Sequence, residues 1–284
     1  MFSTTVAVAG LSVRLRVRGP FDVARFRHRF GPYEVHGGPA PDGELLLYVE
    51  SQGKILTTEV PYPGVRCYRT DQGFKMLREG LALWVGVDGR AEAHVRGPEK
   101  IPPLSHEEDG GPAETPLRLL VSLLLLRSGR GALFHASGYA EERGGLLFLG
   151  LSGAGKTTLA LRLPGGGVLS DDQVALLLSP PIALQSTPFV GVLGRTIPPR
   201  DAPLRAIVRL DEERQGRITP VPPRERSAVL LACLPLYAQD PLLAARALRL
   251  IDALQQAPLL RGSFSAAEGP LPWIDRVFRV ASAG

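Results

Sequence analysis

Gly150-Leu-Ser-Gly-Ala-Gly155-Lys156-Thr157-Thr158 follows the apolar run Leu146-Leu-Phe-Leu149 and leads into Leu159-Ala-Leu-Arg-Leu163. The nonapeptide carries the whole pattern G-x-x-x-x-G-K-[ST], between a strand-like run and an amphipathic helix-like one, the context that gives the pattern meaning. Chance is a poor explanation. From the composition, with 32 glycines and only four lysines in 284 residues, about 0.005 matches are expected in a chain of this length. Glycines at these positions let consecutive backbone N–H groups curl around a phosphate, and the helix that follows turns its positive end toward it. Gly150, Ser152, Gly153, Ala154 and Gly155 are therefore expected to cradle phosphate oxygens. Lys156 is read as an exposed charge reaching the outer phosphates, Thr157 as a magnesium ligand and Thr158 as a further contact.

Fourteen residues after Thr157 stands Asp171, in Val168-Leu169-Ser170-Asp171-Asp172, a short apolar run ending in paired carboxylates. A carboxylate at the end of a strand beside a phosphate loop suits magnesium, and a second can take a proton from an attacking hydroxyl. One of Asp171 and Asp172 is thus read as a metal ligand and the other as a proton acceptor.

Around this centre the grammar alternates. Residues 131–139 and 144–150 read as strands, 156–163 as a helix, 168–178 and 204–210 as strands, then helices near 224–236 and 241–256. Thr115-Pro116 opens a leucine-rich helix through Leu126. Alternating strands and helices argue for an α/β layer over residues 114–284. Before it, residues 1–105 read as mainly β. Residues 5–18 alternate apolar and polar, 43–50 and 54–60 read as strands, and Asp88-Gly89 marks a turn between 81–87 and 91–95. The Gly-, Pro- and acid-rich stretch 97–115 is the expected domain boundary.

Composition narrows the classes. Hydrophobic residues are 44% and charged residues 21%, values of an ordinary globular chain and not of a disordered or collagen-like one. The longest apolar run, 119–126, is far short of the roughly 20 residues needed to cross a bilayer. Residues 1–17 show no basic leader before an apolar core, and the two cysteines, Cys67 and Cys233, lie far apart. A cytoplasmic protein is expected, with no membrane partner. The net charge of +5 suits anionic ligands such as nucleotides and does not single out nucleic acid, which is not expected as a partner.

Three segments, His135-Ala-Ser-Gly138, the loop 150–158 and Ser170-Asp171-Asp172, together resemble the C-terminal catalytic domain of the HPr kinase/phosphorylase family. Weaker similarity runs through Ser186-Thr-Pro-Phe189 and the segment near Arg209. The resemblance implies a P-loop kinase domain of the HPr kinase / PEP carboxykinase-like type, preceded here by a smaller mainly β N-terminal domain. It implies ATP and Mg2+ as cofactors, catalytic roles for Asp171, His135 and Lys156, with Asp171 taken as the base and Thr157 and Asp172 as metal ligands, and phosphate transfer to a serine. His135 would sit at a strand end beside the reacting phosphate. The family carries a glutamate-containing metal signature after its aspartate pair, whereas residues 173–200 of this chain hold no carboxylate. Asp201, Asp211 and Glu212 are the substitutes in sequence. Residues 1–110 have no similarity to the family's N-terminal domain. The chain thus looks more like the stand-alone kinases of peptide-modifying systems, with a peptide or small carrier protein as substrate, and the resemblance admits a homo-oligomer. A small-molecule kinase and a nucleotide-switched binding module are the alternatives.

Two further features have bland readings. Phe21, Phe26, Phe30 and Tyr33, interleaved with Arg25, Arg27, His28 and Arg29, are expected to be a packed edge with a solvated face. Arg224 and Arg226 are expected to cap or sit on the surface.

Overall fold

The computed structural model describes residues 1–50, 65–78, 80–96, 111–151, 153–194, 196–211, 217–234, 240–264 and 269–283. The expected strand at 54–60, most of the expected boundary at 97–115, Ser152 and Glu212 lie outside these residues. The fold is mixed α/β, with two mixed sheets and six α-helices among the described residues. The chain groups into two compact units. One comprises Met1–Ser128, Gly194–Thr196 and Leu236–Ala245; the other comprises Gly129–Leu193, Ile197–Pro235 and Arg246–Gly284.

In the first unit, β1 (Phe2–Val8), β2 (Leu11–Arg18), β3 (Gly43–Glu50), β4 (Arg66–Thr70), β5 (Gly73–Arg78), β6 (Leu81–Gly86) and β7 (Arg90–Arg96) form one sheet. Its order is β1-β2-β3-β7-β6-β5-β4. The β2–β3 and β3–β7 pairings are parallel and the others antiparallel. Period-two patterning sorts the faces: Val13, Leu15, Val17, Leu45, Leu47 and Val49 point inward, while Arg14, Arg16, Arg18, Glu44, Leu46 and Tyr48 alternate with them. Helix α1 (Val23–Phe30) is capped by Asp22, whose side chain accepts from the Arg25 amide. Its Phe26 and Phe30 rings stack at 4.7 Å and are fully buried, with Phe2 and Phe21 against them. The aromatic segment is thus a packed edge, as its sequence suggested. Helix α2 (Glu114–Ser128) is buried on all sides along its leucines. Gly43 faces Leu124 and Leu120 so closely that a Cβ would stand 2.9 Å from Leu124 Cδ1.

The second unit contains β8 (Gly131–His135), β9 (Ser137–Glu141), β10 (Gly144–Leu149), α3 (Lys156–Arg162), β11 (Val168–Ser170), β12 (Gln173–Leu177) and β13 (Ala183–Gln185). It continues with β14 (Asp201–Leu210), β15 (Ile218–Pro220), α4 (Pro223–Leu231), the later part of α5 (Pro241–Ala253), β16 (Leu259–Gly262) and α6 (Pro270–Ala283). The strand order is β11-β9-β10-β14-β13-β12-β8, with β16 also pairing β14 and β15. The ten-residue β14 is the hinge of this layout. Its first residues pair antiparallel with β13, and the rest runs parallel to β10 on one side and β16 on the other. Leu146, Phe148, Val208 and Leu260 of these parallel strands, Leu159 of α3, and Trp273, Ile274 and Val277 of α6 share one buried core. The single strands expected at 131–139 and 168–178 are each broken in two, at Ala136 and at Asp171-Asp172. Both breaks fall at the site described next.

Candidate functional site

The loop after β10 turns sharply into α3. Gly153 and Gly155 take φ values of +90° and +95°, where a side chain would strain the backbone, and no atom lies within 4 Å of where their Cβ atoms would be. Gly150 is constrained differently: a Cβ there would stand 2.8 Å from Ala154 Cβ. The positive φ at Gly153 and Gly155 thus sets the loop's curvature, and turns of this kind are what lets backbone amides face an anion.

Lys156 corrects the expectation of an exposed charge. It is buried, 7% exposed, and its Nζ donates to the carbonyl oxygens of Gly150 at 2.7 Å and Leu151 at 3.1 Å. Burial holds the ammonium below the usual lysine value, an effect the charges of Cys233 and Asp172 oppose. Cys233, just after α4, is a neighbour that sequence reading had no signal for. Its carbonyl accepts the His135 amide at 2.8 Å. Burial pushes its thiol up, against the Gly150 backbone hydrogen bond and the charges of Lys156 and Arg209.

The two aspartates have separate surroundings. Asp171 is 3% exposed, and its two oxygens accept the amides of Gly191 at 2.8 Å and Leu193 at 3.1 Å. Asp172 is partly exposed, and its Oδ1 lies 3.0 Å from His135 Nδ1. Sheet register brings those two together, because β8 pairs β12 with His135 opposite Gln173, and the Ala136 amide donates to the Asp172 carbonyl at 2.9 Å. Ser170 braces the turn: its hydroxyl donates to the Phe189 carbonyl and accepts the amides of Asp172 and Gln173. Thr187 ties the same segments by donating to the Gln173 carbonyl at 2.6 Å. The Ser186-Thr-Pro-Phe189 motif therefore acts as a buttress for the aspartate turn.

A cleft of about 250 Å³ is lined by His135, Gly153, Gly155, Lys156, Thr157, Thr158, Asp171, Asp172, Gly191 and Val192. The structure thus collects every described residue proposed from sequence except Gly150 and Ala154, which shape the loop from behind. Gly191 and Val192 are additions. Gly191 packs tightly against the aspartates, since a Cβ would meet Asp171 Oδ2 at 3.3 Å and Asp172 Cβ at 3.4 Å. Of the substitute carboxylates, the two described ones, Asp201 and Asp211, do not line this cleft. Asp211 is ion-paired with Arg209 and Arg261, and Asp201 is exposed at the start of β14. Arg226 donates to the carbonyls of Gln255 and Ala257, an anchoring role in keeping with its bland reading, and Arg224 is exposed.

Among the described residues no group of three His, Cys, Asp or Glu side chains is gathered to hold a metal. Magnesium at a phosphate loop asks less of the protein, since phosphates and waters supply most of its oxygen ligands. The Thr157 hydroxyl and the Asp172 carboxylate, hard oxygen donors on one cleft, fit that ion.

No protein-family model matches the chain, and no curated protein matches it.

Proposed function

We propose that the chain is a nucleotide-dependent kinase of P-loop type that transfers the γ-phosphate of ATP to a serine hydroxyl of a protein or peptide. The observation that carries this reading is the convergence of the glycine loop, Lys156, Thr157 and the His135–Asp172 pair on one cleft. A cradle alone would serve a binding module; an imidazole and a carboxylate beside it supply proton chemistry.

The roles differ from those expected in sequence order. Asp171 spends both oxygens on the Gly191 and Leu193 amides, so it is a positioning residue that shapes the cleft wall. The proton of the acceptor hydroxyl passes to His135 Nε2, while Nδ1 is turned to Asp172. The carboxylate fixes the tautomer and balances the imidazolium that forms, as in other His–Asp pairs. The loop amides and Lys156 hold the outer phosphates, and Lys156 is already aimed by its bonds to the Gly150 and Leu151 carbonyls. Magnesium, held by Thr157 and Asp172, would neutralise charge on the β- and γ-phosphate oxygens.

The test pairs equilibrium binding of Mg-ATP with transfer of labelled γ-phosphate to a degenerate serine-peptide library. Saturable, magnesium-dependent binding together with labelled serine is the expected result. Tight binding without label on any peptide would make the chain a nucleotide-switched module instead.

A further inference from the structure

We propose that the outward face of the N-terminal sheet is a docking surface for an extended acidic peptide segment of a partner protein. The registers place three rows of side chains on this face: Arg14–Glu44–Arg90, then Arg16–Leu46–Glu92–Trp84–Lys75–Tyr68, then Arg18–Tyr48–His94–Ala82–Leu77–Arg66. They carry six Arg or Lys residues against two Glu, and Glu50, further along β3, adds a third carboxylate.

An aromatic relay crosses the rows. Arg18 sits over the Tyr48 ring at 5.6 Å, Tyr48 stacks on His94 at 4.7 Å, His94 meets Trp84 edge-on at 5.8 Å, and Lys75 lies over Trp84 at 5.5 Å. The carboxylates are already engaged: Glu44 with Arg16 at 3.0 Å, and Glu50 and Glu92 with the two His94 nitrogens at 2.8 Å each. The ring faces order Arg18 and Lys75 without neutralising them, leaving oriented cations on an open surface. A cleft of about 440 Å³ runs over this region, lined by Arg16, Arg18, Glu44, Leu46, Trp84 and Glu92 among others.

Ring contacts and residue spacing choose the occupant. Bases of single-stranded nucleic acid need open ring faces. Here Arg18 sits over the Tyr48 ring, His94 stacks on it, and Lys75 lies over the Trp84 ring, so cations and an imidazole already hold ring faces that a base would need. Conversely, Arg14, Arg16 and Arg18 recur at every second residue of β2, about 6.8 Å apart, the repeat at which an extended chain presents alternate side chains. Arg16 is shared with Glu44, so charge and spacing fit an extended segment whose acidic side chains, on one face, meet Arg14 and Arg18. The inference stands apart from phosphate transfer and needs no nucleotide.

The full chain reports the binding itself. It has two tryptophans; Trp84 is 39% exposed within the face, and Trp273 is fully buried. The probe is a fluorescein-labelled ten-residue peptide alternating Glu and Thr, titrated at low salt, about 50 mM. The expected result is a saturable change in tryptophan emission that disappears in Trp84→Phe while anisotropy still reports binding. Arg14→Glu with Arg18→Glu should weaken binding at least about tenfold, and the neutral pair Arg14→Gln with Arg18→Gln should give a smaller loss. The charge-matched pair Arg249→Glu with Arg279→Glu, on helices α5 and α6, should leave binding unchanged. The proposal is overturned if the Gln-for-Glu peptide or a ten-nucleotide oligo-dT binds as tightly, or if the control pair weakens binding equally. It is also overturned if no saturation is reached by about millimolar peptide, or if sedimentation shows self-association that Arg14→Glu with Arg18→Glu abolishes.

Discussion

His135 and Asp172, 37 positions apart in sequence, meet with Nδ1 and Oδ1 3.0 Å apart because β8 and β12 pair in a register that sets their ends side by side. His135→Ala should lower phosphate transfer by about 10²–10⁴-fold, the usual size of a general-base contribution. Asp172→Asn should fall in the same range, and the double variant should lose little more, because groups acting as a unit are not additive. Single-turnover rates at saturating Mg-ATP check this. Independent, additive losses would separate the two residues.

Asp171→Asn should act on stability first. Only one end of the amide can accept, so either the Gly191 or the Leu193 N–H loses its partner, at a cost of about 1–3 kcal/mol. A lower melting temperature without ligand is expected. An unchanged melting temperature with abolished turnover would return Asp171 to the role of base.

Replacing Lys156 by Met keeps much of its buried length and removes its charge. Mg-ATP affinity should drop by at least about tenfold, read by calorimetry, while the secondary structure signal stays intact. Unchanged affinity would detach the loop from nucleotide binding.

The glycine loop 150–158 was legible because it is local: nine consecutive residues carry their own turn chemistry, and Gly153 and Gly155 take the positive φ that only glycine accepts freely. The alternation of β2 and β3 was legible for the same reason. What escaped was whatever depends on distant partners. Nothing near Asp171 announces that amides about twenty residues later will occupy it, and nothing near Lys156 announces that Cys233, 77 positions later, will bear on its charge. The strand order of the N-terminal sheet, with parallel pairings on both sides of β3, likewise follows from long-range packing that period-two patterning does not encode.

His94 gives a pH signature. Burial works against its charge, but hydrogen bonds and charge from Glu50 and Glu92 outweigh that, so its value in the fold lies above the ordinary one of about 6.5. A group raised on folding stabilises fully below its unfolded value and loses that contribution as pH climbs through the folded one. Melting temperature should therefore decline as pH rises above about 6.5, and His94→Gln should flatten that decline. A slope unaffected by His94→Gln would mean that the Glu50–His94–Glu92 bridge contributes nothing to folding.

Most direct for the central claim is transfer of labelled γ-phosphate from Mg-ATP to a degenerate serine-peptide library, run with wild type and Asp172→Asn side by side. Labelled phosphoserine from wild type and a loss of about 10²–10⁴-fold in the variant are expected. Equal labelling by both proteins, or none by a wild type that binds Mg-ATP, would contradict the assignment of this cleft to phosphate transfer.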